Sequence, residues 1–76
     1  MSKRTVYEVA PRGDEWTVKR RGVERPLHVE KTKAEAVAKG IELGRNNMPS
    51  QLLIKLANGK IEEERTYGDD PFPPAG

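Results

Sequence analysis

The sequence predicts an α+β domain in which a single helix covers one face of a small antiparallel sheet. Three observations support this class: short apolar runs with the two-residue period of strands, one capped amphipathic helix, and an Asn-Gly turn between strand-like runs. The predicted order is strand, strand, short strand, helix, strand, strand. Residues 1–68 are expected to form one domain, because 76 residues support a single core, and residues 69–76 a Pro-rich tail.

The first two strands are predicted to form a hairpin. Residues 5–9 (TVYEV) are rich in β-branched and aromatic residues, and residues 16–20 (WTVKR) alternate large apolar with polar side chains. The stretch APRGDE between them supplies the Pro and Gly of a turn. Alternation places four large side chains on one face of the sheet: Tyr7, Val9, Trp16 and Val18.

A short third strand is expected within VERPLHVE, residues 23–30. Pro26 has no amide hydrogen to donate to a ladder, so this strand lies at a sheet edge or begins after the proline. On such a strand, His28 would point to the opposite face from Leu27 and Val29.

The helix is predicted over TKAEAVAKGIELGRNN, residues 32–47. Thr32 is its N-cap, and Glu35 completes a capping box that satisfies two amide donors. An apolar stripe with helical spacing, which Leu43 widens, is expected to face the sheet. Its members are Ala34, Val37, Ala38 and Ile41.

Gly40 and the residues at the end of the helix carry further structural expectations. Gly40 beside the stripe suggests a close approach of helix and sheet, because glycine is otherwise unfavourable inside a helix. Asn46 or Asn47 is expected to end the helix in the left-handed conformation, and Pro49 prevents its continuation.

The last two strands are predicted to form a second hairpin around Asn58-Gly59. A two-residue loop would pair Leu56 with Ile61, Lys55 with Glu62, and Ile54 with Glu63. Leu52, Ile54, Leu56 and Ile61 would then share the inner face, with an attractive Lys55/Glu62 pair on the outer face.

The segment YGDDPFPP, residues 67–74, has two interpretations. Its aromatic side chains could fold back and close an open end of the core. Alternatively, the segment docks into a groove on a partner protein or on a second copy of the chain. The residues that would make this contact are Tyr67, Pro71, Phe72, Pro73 and Pro74.

The composition offers little for catalysis. The chain has one histidine and no cysteine, and neither of its two serines has a base nearby in sequence. The acidic residues lack the spacing of a calcium loop, so a solvated strand edge explains them. We therefore predict a protein that is not an enzyme, with no catalytic residue, metal site, cofactor or small-molecule substrate.

The location is predicted from what the chain lacks. No apolar stretch approaches 18 residues, and the basic N-terminus is not followed by the apolar segment of a secretion signal. A cytoplasmic protein without membrane contact is expected.

Positive charge is concentrated in the first part of the chain. Residues 1–45 contain 11 Lys and Arg against 7 Asp and Glu, whereas residues 46–76 contain 3 against 5. A basic patch of this kind could neutralise the phosphates of a nucleic acid. The candidate residues are Lys19, Arg20, Arg21, Arg25, Lys31 and Lys33. Strand alternation separates some of these side chains, and glutamates are interspersed, so ordinary solvated charge is the alternative.

The order of the motifs resembles DUF2188, a bacterial family of small uncharacterised proteins. The resemblance rests on WTVKRRG (residues 16–22), TKAEAVAKGIELGR (residues 32–45), NGKIEEERTYG (residues 58–68) and DPFPP (residues 70–74). It implies a bacterial stand-alone domain and brings no activity, cofactor or site residue.

Two functional hypotheses follow. The first is a non-enzymatic small binding module that contacts nucleic acid through its basic first half. The second is a protein-interaction or homo-oligomerising domain that uses a free sheet edge or the C-terminal YGDDPFPP segment.

Overall fold

The computed structural model describes residues 4–68, which form one five-stranded sheet and one helix. The predicted α+β class, with a single helix over a sheet, is confirmed. The elements in chain order are β1 (Thr5–Arg12), β2 (Glu15–Arg20), β3 (His28–Glu30), α1 (Lys33–Asn46), β4 (Ser50–Lys55) and β5 (Ile61–Tyr67).

The sheet is mixed, with the strand order β3-β2-β1-β4-β5. Three pairings are antiparallel, as expected, but β1 and β4 pair in parallel, with Thr5 opposite Ser50 and Val9 opposite Ile54. The parallel pairing arises because α1 carries the chain back across the sheet, so that β4 begins beside the start of β1. The short strand predicted after Pro26 is β3, which lies at one edge of the sheet.

The core lies between the sheet and α1. Tyr7, Val9 and Val18 are buried and Trp16 packs against them, so the face predicted for the first hairpin is confirmed. The other buried members of this cluster are Ala36, Leu52 and Ile54.

The face that α1 presents to the sheet differs from the predicted stripe. Val37 and Ile41 pack against the core, but Ala34 and Ala38 are exposed. The most deeply buried line on the helix instead consists of small residues at a spacing of four: Ala36, Gly40 and Gly44. The sequence prediction followed apolarity, whereas the helix packs closest where its side chains are smallest.

The close approach predicted at Gly40 is confirmed. A Cβ atom on Gly40 would lie 2.8 Å from Cδ1 of Leu52 and 3.2 Å from Cγ2 of Val9. Both of these neighbours are fully buried, so the helix backbone rests directly on the central strands.

Both helix ends are capped, with some differences from expectation. The Thr32 hydroxyl accepts a hydrogen bond from the amide of Glu35 at 3.1 Å, as predicted, and it also donates to the Glu35 carboxylate. At the other end, Asn47 is the cap but is not left-handed, with φ −130°. Its side-chain amide donates to the carbonyl oxygen of Leu43 at 2.8 Å, which satisfies a helix-end acceptor by another route.

The second hairpin has a three-residue loop instead of the predicted two. The amide of Gly59 donates to the carbonyl of Leu56, and the amide of Leu56 donates to the carbonyl of Lys60. A β-bulge then places Lys55 opposite Ile61, and the predicted pairing is recovered at Ile54 and Glu63. The longer loop shifts the register by one residue, and the bulge corrects that shift.

This shift changes the environment of the loop-proximal residues. Leu56 and Ile61, which were predicted on the inner face, are 37% and 50% exposed. The predicted Lys55/Glu62 pair does not form: Lys55 pairs with Glu8, and Glu62 pairs with Lys33.

Candidate nucleic-acid interface

The sheet has a second face, turned away from α1, which we call the open face. Val9 and Val18 point into the core, so residues one position along each strand point to the opposite side. The residues of the open face on the three central strands are Val6, Glu8, Ala10, Arg12, Glu15, Thr17, Lys19, Gln51, Leu53 and Lys55.

An ion cluster occupies the middle of the open face. The Glu8 carboxylate accepts a hydrogen bond from Nε of Arg21 at 2.9 Å and lies 3.4 Å from Nζ of Lys55. Lys19 is directly opposite Glu8 on the neighbouring strand. Partial burial acts to raise the pKa of Glu8, but the hydrogen bond from Arg21 and the charge of Lys55 outweigh it, so the pKa lies below its ordinary value.

A groove of about 510 Å³ lies between the open face and the β2–β3 loop. We call it the β2–β3 groove. It is lined by Ala10, Pro11, Arg12, Thr17, Lys19, Glu24, Arg25 and Pro26. A smaller hollow of about 280 Å³ shares Lys19 and Glu24 with it and extends the concave surface to Glu8 and Arg21.

Three cations line the β2–β3 groove: Arg12, Lys19 and Arg25. None of the three forms an ion pair with any residue in the range 4–68. Glu24 is the single carboxylate in the lining, so the groove carries an excess of positive charge. An anion that entered it would meet three cations and one lining carboxylate, with Glu15 opposite Arg12 on the neighbouring strand.

Arg12 was not among the residues selected from the sequence. The pattern APRGDE predicts that Arg12 lies in a turn, whereas β1 continues to Arg12 and the turn consists of Gly13 and Asp14. The available signal was alternation, because extending the period of Glu8 and Ala10 by one step places Arg12 on the same face.

The six cations proposed from the sequence are not all on one surface. Lys19 and Arg25 line the groove, and Arg21 borders the adjoining hollow but is bonded to Glu8. Arg20 is opposite Tyr7 on the helix side of β2. It also borders the adjoining hollow. Lys31 is exposed in the connection before α1.

Lys33 has two partners within the fold. Its Nζ forms an ion pair with the carboxylate of Glu62 and lies 5.5 Å from the centre of the Trp16 ring. These contacts join the first turn of α1 to β5 and to β2, so Lys33 has a structural role.

Tyr67 closes the core at the end of α1. Its ring packs against the buried cluster and lies so close to Gly44 that a Cβ atom there would be 2.6 Å from Cδ2 of the tyrosine. Of the segment proposed to dock on a partner, Tyr67 is therefore part of the domain. Pro71, Phe72, Pro73 and Pro74 lie outside the described residues.

A further hollow of about 490 Å³ lies on α1 and is lined by Ala38, Ile41, Glu42, Arg45 and Asn46. His28 is half-buried opposite Val18 at the sheet edge. Residues 4–68 contain no group of three or more His, Cys, Asp or Glu placed to hold a metal ion. The helix among them is neither long enough nor apolar enough to cross a membrane.

Comparison with known proteins provides a family and no function. Neither curated proteins nor solved structures give a match to the chain. The family model described as "Uncharacterized protein conserved in bacteria (DUF2188)" matches residues 7–67, which include all of the fold except the first two residues of β1. The chain therefore belongs to DUF2188, a family of uncharacterised bacterial proteins.

Proposed function

We propose that this chain is a non-enzymatic binding module that binds the phosphates of a nucleic acid in the β2–β3 groove. The observation that carries the proposal is the convergence of Arg12, Lys19 and Arg25 on one groove without ion pairs among residues 4–68. The proposal includes a cytoplasmic location and requires no cofactor.

The neighbouring Glu8 cluster supports this role. Arg21 and Lys55 already neutralise Glu8, so this carboxylate does not offset the charge of Lys19 opposite to it. The rigid strands β1 and β2 hold Arg12 and Lys19 at defined positions, and the β2–β3 loop adds Arg25 from the other side of the groove.

The salt dependence of binding tests the proposal. Three phosphate contacts predict a slope of log affinity against log salt of about −2.7 for a duplex, or roughly 40-fold weaker binding between 50 and 200 mM salt. The measurement is fluorescence anisotropy of a labelled 20-base-pair duplex titrated with protein. An absence of binding at 50 mM salt would contradict the proposal.

A matched pair of variants separates the groove from net charge. The groove variant carries Arg12→Gln, Lys19→Gln and Arg25→Gln. The control carries Lys39→Gln, Arg45→Gln and Lys60→Gln, which are exposed, have no ion pairs within 4–68, and lie outside the groove. We expect the groove variant to lose most of the salt-dependent affinity and the control to retain it. Equal losses would indicate non-specific attraction.

The second candidate is a protein-interaction or self-associating domain, and one observation favours it. β3 is a short edge strand; Val29 within it is 46% exposed, and Leu27 just before it is 47% exposed. Such an edge can pair with another strand. Light scattering on the full chain and on a version ending at Gly68 would show whether it associates and whether the C-terminal segment is needed. A monomer in both cases would contradict self-association.

A further inference from the structure

Building on the proposed function, we infer that the nucleic acid is double-stranded and is held through its phosphate backbone, without recognition of individual bases. Two features of the fold carry this inference: where the aromatic rings are, and how wide the sheet is that bears the cations.

Proteins that bind single strands stack the bases on aromatic side chains. In the described part of the chain, all three aromatic residues pack on the helix side of the sheet: Tyr7 is buried, and Trp16 and Tyr67 pack against the core. The β2–β3 groove is lined by aliphatic, polar and charged residues. An unstacked base would therefore find no ring beside the cations, whereas a duplex, whose bases stack on each other, needs none.

The dimensions favour contact with the backbone over entry into a groove of the duplex. Five strands spaced about 4.8 Å apart make a face roughly 19 Å wide, whereas the major groove of B-form DNA is about 12 Å wide. The narrower tip of the β1–β2 hairpin would fit, but it carries Asp14 and Glu15, whose charge opposes entry between two phosphate strands.

Two cations without ion pairs within 4–68 lie at different levels along the paired strands β1 and β2. Arg12 is at the end of β1, and Lys19 on β2 is level with Glu8. Four residues of strand separate the two levels, or about 13 Å. Arg12 and Lys19 can therefore contact different phosphates of one backbone.

The test compares strand states with the unmodified full chain. Anisotropy is measured at 50 mM salt with a 20-base-pair DNA duplex, each of its separated strands, a second duplex of unrelated sequence, and an RNA duplex of the same length. We expect both DNA duplexes to bind within about threefold of each other and at least about fivefold more tightly than either strand, with a salt slope near −2.7. Binding of the RNA duplex with similar affinity would also support the inference.

Three results would overturn it, and they are distinguishable. Tighter binding of a single strand would remove the inference but leave the proposed function intact. A difference of more than about tenfold between the two DNA duplexes would show base recognition. If none of these probes bound, the proposed function would be overturned as well.

Discussion

The hydroxyl of Ser50 donates a hydrogen bond of 2.6 Å to the carbonyl oxygen of Gly44, and both residues are buried. Gly44 lies in the last turn of α1, where carbonyl groups have no partner within the helix. Ser50 is the first residue of β4 and is opposite Thr5 of β1. This single bond therefore attaches the end of the helix to the parallel centre of the sheet.

Replacing this serine should destabilise the fold. Ser50→Ala removes the hydroxyl and leaves the Gly44 carbonyl with only a longer bond of 3.4 Å from the amide of Asn47. The expected loss in the free energy of unfolding is about 1–3 kcal/mol, the cost of a poorly satisfied buried acceptor. Urea unfolding followed by Trp16 fluorescence measures it.

The matched control removes a hydroxyl from an exposed strand position. Thr66→Ala lies on β5, where the side chain is exposed, and should cost less than about 1 kcal/mol. If Ser50→Ala costs no more than Thr66→Ala, the Ser50 bond contributes nothing net to stability.

Which side of α1 would face the sheet was only partly predictable. Hydrophobic periodicity identified the helix, its N-cap, and Val37 and Ile41 on the packed side. It could not show that Gly40 and Gly44 form the line of closest contact. Hydrophobic periodicity scores a glycine as neutral, whereas the lack of a side chain is what allows the closest approach of the helix to the sheet. The position of Leu52 beneath Gly40 depends on the parallel pairing of β1 and β4, which no local pattern specifies.

Adding a methyl group at Gly40 tests that contact. In an isolated helix Gly40→Ala would stabilise by about 1 kcal/mol, but here the new Cβ atom would be 2.8 Å from Cδ1 of the buried Leu52. Overpacking should outweigh the propensity, with a net loss of about 1–3 kcal/mol by urea unfolding. In a Leu52→Val background the same change should cost less, because the opposing side chain is shorter. Equal costs in both backgrounds would show that the two residues do not interact.

The Glu8 cluster predicts a dependence of stability on pH. The folded-state pKa of Glu8 lies below its ordinary value of 4.5, so its stabilisation is present above that value and is lost as the pH falls through the folded pKa. The free energy of unfolding should therefore fall as the pH drops below 4.5, and Glu8→Gln should reduce that fall. Glu42→Gln, at an exposed helix position without an ion pair within 4–68, is the control. An unchanged pH profile in Glu8→Gln would contradict the prediction.

The sequence allowed only part of the candidate site to be predicted. It indicated a basic first half and named Lys19 and Arg25, both of which line the β2–β3 groove. Arg12 was missed because the end of a strand at a hairpin is poorly defined by local propensity. Lys33 is among the predicted nucleic-acid-binding residues because charge alone does not reveal its ion pair with Glu62, which is 29 positions further along the chain.

The second hairpin shows how a turn motif can be recognised while its geometry is misjudged. Asn58-Gly59 marks the turn correctly, but the same dipeptide suits both a two-residue loop and a three-residue loop that ends on a left-handed glycine. The amide of Gly59 closes the latter, and Gly59 has φ +90°.

This geometry makes Gly59 a sensitive position. Gly59→Ala forces a Cβ atom into a backbone conformation that L-residues rarely adopt, although no neighbouring atom lies within 4 Å, so any cost arises from the backbone alone. We expect a loss of about 1 kcal/mol or more in the free energy of unfolding, and a smaller loss for Gly59→Asn, because asparagine tolerates positive φ better. Urea unfolding of the two variants beside the unmodified chain measures the difference. If alanine is tolerated as well as asparagine, the loop does not require a left-handed residue at this position. The register of β5 must then depend on the bulge at Lys55 and on the pairing of Ile54 with Glu63.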